Sequence, residues 1–141
     1  MGAKLGYEVP VGRGPNALSA SNICIVEDDG AVRESLQMLL EMQGWTVSCY
    51  SRAEMFLTQV HRIDCGCLIL DQMLPGLTGL KLLEMLRGRG LNMPIVVLTG
   101  DCDPTLPRKA MEAGAMAVLH KPASNEALLT EVRQALAAPA A

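Results

Sequence analysis

Short, mostly apolar runs alternate with amphipathic helical segments along most of this chain. The runs fall at residues 22–26, 45–50, 67–70, 95–98 and 116–119. The segments that follow them carry apolar residues at helical spacing, which predicts one helix after each strand. Strands connected by single helices must run parallel, and right-handed crossovers place helices on both faces of the sheet. The sequence therefore predicts an α/β fold, (βα)5, with a doubly wound parallel five-stranded sheet.

Capping and stop residues indicate where several of these helices begin and end. The first helix is expected to end at Gly44, because glycine readily adopts the left-handed conformation of a helix terminator. Ser51 and Glu54 have the spacing of a capping box, which predicts that Ser51 opens the second helix. Thr78 and Ser124 are expected to cap the third and fifth helices.

The composition separates one folded domain from the two ends of the chain. With 141 residues, the chain can bury one sizeable core but is too short for two domains of ordinary size. Residues 21–138 are predicted to form this domain. Residues 1–20 carry several Gly and two Pro without an apolar period. This composition predicts a flexible N-terminal extension, of either native or artificial origin. Residues 139–141 are predicted to be a tail or a linker stub.

Charge, hydropathy and cysteine usage argue against several classes of protein. The formal net charge is −3 and Lys and Arg are not clustered, so direct nucleic-acid binding is not expected. No apolar stretch reaches the length of a membrane span, and the N-terminus lacks a secretory pattern. The five cysteines match no disulfide framework, and Cys65 and Cys67 lack the partners of a zinc site. A cytoplasmic protein without a membrane partner is therefore expected.

Polar side chains follow four of the predicted strands at the point where each strand ends. Glu27 and Asp28 follow the first strand, Asp71 the third, Thr99 the fourth and Lys121 the fifth. The carboxyl ends of parallel strands meet at one edge of a sheet, where ligands bind in open α/β folds. We therefore expect these five side chains to form one site.

The chemistry of this set is mutually consistent. Three carboxylates without a cation would repel one another, and oxygen ligands suit Mg²⁺, so a bound magnesium ion is expected. Asp71 could then attack a phosphoryl group and become an aspartyl phosphate. Lys121 and the Thr99 hydroxyl would bind the new phosphoryl oxygens.

Four sequence motifs carry a resemblance to a known family. They are IVEDD at 25–29, LDQMLPGLTG at 70–79, LTG at 98–100 and HKP at 120–122. Together they resemble the CheY-like receiver domains of two-component response regulators. The separations of 43 residues from Asp28 to Asp71, 28 from Asp71 to Thr99 and 50 from Asp71 to Lys121 resemble the FixJ-type branch. The resemblance implies a flavodoxin-like sheet with strand order 2-1-3-4-5.

The resemblance also implies a role for each matching position. Asp28 would bind the metal directly, Glu27 mostly through water, and Asp71 would be both phosphoacceptor and ligand. Met73 would contribute its backbone carbonyl. Thr99 and Lys121 would keep the phosphate-binding roles inferred above.

Two further implications concern the backbone around the site. Pro75 and Gly79 would shape the loop beyond the acceptor, and the Lys121–Pro122 peptide bond would be cis, a conformation that proline makes accessible. The neighbouring Asp29 is expected to begin the first helix and is not counted as a ligand. His61 and His120 are not expected to act as general bases.

The family's partners and activity follow from the same resemblance. The phosphoryl donor would be a sensor histidine kinase or a histidine phosphotransfer protein, and the phosphorylated domain would change its partner binding. A homodimer is left open. The domain would catalyse only its own phosphorylation and dephosphorylation, and so would not be an enzyme acting on a separate substrate.

Three features depart from the family pattern. Val118 stands where receivers usually have Tyr or Phe, which puts the usual aromatic coupling in doubt. Gln72 is unusual beside the acceptor, and Gly100 leaves room over the phosphate, so rapid dephosphorylation is a candidate property. The loop at 101–107 has two acids and two prolines, which predicts that the fourth helix, at about 104–113, is shortened or distorted and its surroundings irregular or mobile.

Two other functions compete with the phosphoacceptor interpretation. Val118 and the altered loop are also compatible with a phosphorylation-independent protein-interaction module. A hydrolase that uses Asp71 would need a second catalytic acid, and Met73 at the nearby position argues against it.

Overall fold

The computed structural model describes residues 22–100 and 102–137, in which strands and helices alternate. The strands are β1 (Asn22–Val26), β2 (Thr46–Tyr50), β3 (Cys67–Asp71), β4 (Ile95–Thr99) and β5 (Ala117–His120). The helices are α1 (Gly30–Glu41), α2 (Ala53–Gln59), α3 (Gly79–Gly88), α4 (Leu106–Glu112) and α5 (Asn125–Ala137). A short 3₁₀ turn (Val60–Arg62) follows α2. The predicted extension at 1–20, the predicted tail at 139–141 and the predicted domain limits at 21 and 138 lie outside the described residues.

The strands form one parallel sheet in the order β2-β1-β3-β4-β5. This order confirms the predicted flavodoxin-like α/β fold. From β1 the chain moves outward to β2 and then returns past β1 to β3, so the sheet order reverses between β1 and β3. Val26 pairs with Leu70 in this register, which brings the residues that end these two strands side by side. The reversal point is where open α/β sheets bind ligands.

Apolar side chains of the central strands alternate between two buried layers, because successive strand residues point to opposite faces. On one face, Phe56 of α2, Leu82 of α3 and Ala110 of α4 belong to one core. On the other face, Leu40 of α1 and Val132 of α5 belong to a second core. Helices therefore cover both faces of the sheet, as the doubly wound arrangement requires. In the described part of the chain, no helix is long and apolar enough to cross a bilayer.

The starts of α1, α3 and α5 agree with the sequence, whereas those of α2 and α4 differ from it. Asp29 caps α1, and Thr78 accepts an N–H bond in the first turn of α3. The capping box predicted from Ser51 and Glu54 is wrong, because α2 begins at Ala53, one residue later than that pattern requires. The Ser51 hydroxyl instead donates to the sulfur of Met55 at 3.5 Å. Ala53, the first residue of α2, is buried, and no side chain caps this helix. We therefore attribute the start of α2 to core packing.

Helix α4 is shorter than the predicted range of 104–113, with seven residues from Leu106 to Glu112. Pro107 lies in its first turn, where the missing N–H leaves no helical hydrogen bond unmade. The N–H and the hydroxyl of Thr105 both donate to Asp103 Oδ1, at 2.9 and 2.7 Å. This local turn delays the start of the helix, which confirms the predicted shortening. The mobility of the loop stays a prediction.

The close approach of α3 to β3 yields a test of the fold. A Cβ added to Gly79 would lie 2.5 Å from the carbonyl oxygen of Asp71 and 2.9 Å from Gln72 Cα, both backbone atoms. We expect Gly79→Ala to lower the free energy of unfolding by about 2 kcal/mol through overpacking. Urea denaturation would measure this change.

Gly88→Ala is the matched control, because nothing lies within 4 Å of an added Cβ at this position of the same helix. We expect it to leave the free energy of unfolding unchanged or to raise it slightly, since alanine favours helices. Equal stability of Gly79→Ala and the unaltered protein would contradict the close contact.

Candidate functional site

The five polar residues singled out from the sequence meet at the carboxyl edge of the sheet. Glu27 and Asp71 are each 2% exposed and Thr99 is fully buried, whereas Asp28 is exposed. One carboxylate oxygen from each of Glu27, Asp28 and Asp71 lies within 4.8 Å of the other two. The site is thus an acidic cluster with two buried members and one open to solvent.

Lys121 provides the positive charge in this cluster. Its Nζ lies 2.9 Å from Asp71 Oδ1 and 3.2 Å from Glu27 Oε1. Burial lowers the pKa of the Lys121 ammonium, but the hydrogen bond and charge of Asp71, with the charge of Glu27, outweigh burial and leave the pKa raised. The ammonium therefore stays protonated and is shared by two carboxylates.

Glu27 is held between this ammonium and the start of the next helix. Its Oε2 accepts the N–H of Asp29 at 3.2 Å. Burial raises the pKa of Glu27, the bond from Asp29 opposes this effect, and the negative charge of Asp71 adds to it. The net pKa of Glu27 is raised, mainly because its carboxylate is buried.

The main chain places the two phosphate-binding candidates next to one another. Lys121 N–H donates to the carbonyl of Thr99 at 2.8 Å, which joins the end of β5 to the end of β4. The Lys121–Pro122 peptide bond is cis, as predicted. Thr99 pairs with His120 in the register of the two strands.

Met73 lies directly beside the acceptor candidate. Its N–H donates to Asp71 Oδ1 at 3.3 Å, and its side chain projects outward with 59% of its surface exposed. The structure thus places the main-chain N–H of Met73 beside the Asp71 carboxylate, and the role of the Met73 carbonyl as a metal ligand stays a prediction.

Both histidines are exposed. His61 lies in the 3₁₀ turn that precedes β3, at the opposite edge of the sheet. His120 is exposed at the end of β5.

Sequence reasoning missed one residue of the site and found no role for another. Arg33 Nη1 donates to the carbonyl of Glu27 at 2.9 Å and to that of Asp28 at 3.4 Å. Its position in the first turn of α1, five residues after Asp28, was the available signal. Gln72 is buried, and its Oε1 accepts the N–H of Leu80 at 2.7 Å.

Comparison with known sequences places these observations in a family. The sequence model of the response regulator receiver domain family matches residues 23–133 of this chain. The response regulator protein TodT of Pseudomonas putida is 42% identical over 117 residues, which are 83% of this chain and 52% of TodT. The transcriptional regulatory protein FixJ of Azorhizobium caulinodans is 41% identical over 112 residues, 79% of this chain and 53% of FixJ. The chain spans about half the length of these curated relatives.

Solved structures show the same relationship. The crystal structure of FixJ-N aligns with a TM-score of 0.78 and 32% identity, over 85% of this chain and 96% of that one. Full-length FixJ from B. japonicum aligns with a TM-score of 0.77 and 33% identity, over 82% of this chain and 57% of that one. The chain therefore belongs to the receiver-domain family of two-component response regulators and is similar to the receivers of FixJ and TodT.

Proposed function

We propose that this receiver is phosphorylated on Asp71 by a sensor histidine kinase or a histidine phosphotransfer protein, and that phosphorylation switches its partner binding. The observation that carries the proposal is the contact of the Lys121 ammonium with the buried carboxylate of Asp71 at 2.9 Å. An ammonium at this place binds the carboxylate before transfer and can bind an oxygen of the attached phosphoryl group afterwards. A purely structural ion pair would not need the adjoining Asp28 and Thr99.

The proposed step is a transfer to one oxygen of Asp71. Lys121 and the Met73 N–H both contact Oδ1, so we assign Oδ2 as the attacking atom. A bond forms from Oδ2 to phosphorus while the phosphorus–nitrogen bond of phosphohistidine breaks, and the released imidazole nitrogen takes up a proton. Lys121 then binds a phosphoryl oxygen, and the Thr99 hydroxyl donates to another.

The carboxylates fit a divalent cation of the hard, oxygen-binding kind. Glu27, Asp28 and Asp71 offer three oxygens within 4.8 Å of one another. These three residues and the Met73 carbonyl would hold Mg²⁺. When bound, Mg²⁺ offsets the negative charge that the carboxylates and the incoming phosphoryl oxygens bring together.

The activity proposed here is that of a signalling domain in the cytoplasm, where histidine kinases present their phosphoryl groups. The domain would catalyse its own phosphorylation and dephosphorylation and act on no separate substrate.

A second candidate function is an interaction module that signals without phosphate. It is favoured by Val118, which is half-buried against the core beside α4. Valine is restricted at χ1 and has too little reach to move between buried and exposed positions as a ring does. Equal affinity for a partner before and after phosphorylation would favour this alternative, because a ligand that binds two conformational states equally does not shift the equilibrium between them.

Phosphoryl labelling tests the acceptor assignment. We expect Mg²⁺-dependent labelling of the unaltered chain by a phosphorylated histidine kinase and background labelling of Asp71→Asn, since an amide is a poor nucleophile. Asp64→Asn is the matched control, because Asp64 is exposed and lies at the other edge of the sheet. Equal labelling of the Asp71→Asn and Asp64→Asn variants would refute the assignment.

Removal of the ammonium tests the role of Lys121. We expect Lys121→Met to slow phosphorylation on the order of 100-fold, because one preorganised charge that stabilises the transferred group is lost. Stopped-flow measurement with acetyl phosphate would give the rate. Lys81→Met, at an exposed site of α3, should retain the normal rate, and a Lys121→Met rate within about twofold of it would contradict the role.

A further inference from the structure

Gln72 is a buried polar residue that the proposed phosphoryl transfer does not use. It directly follows Asp71 and is 6% exposed. A buried amide costs free energy unless its polar atoms are hydrogen bonded. Its Oε1 accepts the N–H of Leu80 at 2.7 Å, so the side chain is bound to the first turn of α3.

The main chain of Gln72 makes two further bonds at the same junction. Its N–H donates to the carbonyl of Leu98 at 2.9 Å, and its carbonyl accepts the N–H of Gly79 at 3.0 Å. Gly79 has no side chain to keep α3 away, since a Cβ there would overlap the Asp71 carbonyl. Gln72 therefore connects the end of β3 both to β4 and to α3.

The first turn of α3 depends on this residue for its hydrogen bonds. A helix begins with N–H groups that have no partner within the helix. Gln72 supplies acceptors for two of them, those of Gly79 and Leu80, and the Thr78 hydroxyl supplies a third for Lys81 at 3.2 Å. The two Gln72 bonds close the base of the loop at 73–78.

We propose that Gln72 is a positioning residue, which holds the loop at 73–78 closed and thereby fixes the main chain of Met73 for metal binding beside Asp71. The proposal rests on the proposed function, because it takes the acidic cluster as a Mg²⁺ site. The Met73 side chain is 59% exposed, so packing of that side chain does not orient its main chain. Leu74, the next residue, is buried in the core, so we expect the loop to keep its general path when Gln72 is changed.

Magnesium titration of the full, unphosphorylated chain tests this role. Gln72→Met keeps the length of the side chain and removes its acceptor. We expect its Kd for Mg²⁺, from isothermal titration calorimetry, to be on the order of tenfold weaker, as for other residues that orient a ligand indirectly. The Leu80 amide should also exchange its hydrogen faster in the variant.

Thr78→Ala is the matched control, because it removes one hydrogen bond from the same helix turn but leaves the junction at Gln72 intact. We expect it to bind Mg²⁺ like the unaltered protein. A normal Mg²⁺ affinity of Gln72→Met, or equal weakening in both variants, would overturn the proposal. Equal weakening would mean that helix capping in general is responsible.

If Gln72→Met does not fold, Gln72→Glu replaces it as the test variant, because glutamate keeps an acceptor oxygen for the Leu80 N–H. We expect slow exchange of the Leu80 amide and Mg²⁺ affinity no weaker than normal, and loss of either would overturn the proposal. Normal Mg²⁺ binding without phosphoryl labelling of Asp71 would overturn the proposed function and leave this inference standing. Absence of Mg²⁺ binding by the unaltered chain would overturn both.

Discussion

The contact of one ammonium with two buried carboxylates is the constraint on which the site depends. Asp71 and Glu27 are almost removed from solvent, and a buried charge is costly unless it is paired and hydrogen bonded. Lys121 meets this requirement from the far end of the sequence, 94 residues after Glu27. The burial that makes the pairing necessary also strengthens it, because charges interact more strongly away from water. The two contacts of Lys121 therefore let both carboxylates lie buried at this edge of the sheet.

The topology of the sheet makes this pairing accessible without long loops. Reversal of the strand order between β1 and β3 places Glu27 beside Asp71, and the bond between Lys121 and Thr99 brings β5 to the same edge. Backbone atoms take part in the neighbouring contacts. Arg33 of α1 donates to the Glu27 carbonyl, the Gly79 N–H of α3 donates to the Gln72 carbonyl, and the Met73 N–H donates to the Asp71 carboxylate. These bonds attach two helices and a loop to the residues that end β1 and β3.

The order of strands and helices could be predicted from the sequence because apolar periodicity is a local property of the chain. The meeting of the polar residues could also be predicted, since parallel topology sends every strand's carboxyl end to one edge. Ser51 and the start of α4 were misplaced because helix starts there follow the burial of Ala53 and the turn at Asp103, which are set by the folded chain. The bonds of Arg33 and Gln72 reach backbone atoms, so neither forms a pair of matching side chains in the sequence, and the place of Arg33 in the first turn of α1 was the one signal available.

Of the three clustered carboxylates, only Asp28 faces solvent. Replacement of Glu27 or Asp71 would leave the Lys121 ammonium with one partner fewer in the interior, whereas replacement of Asp28 breaks no ion pair with it. The three positions should consequently tolerate variation unequally during evolution. Under the proposed function, Asp28 is constrained by the ion that it would bind, whereas Glu27 and Asp71 are constrained in addition by the charge balance of the interior.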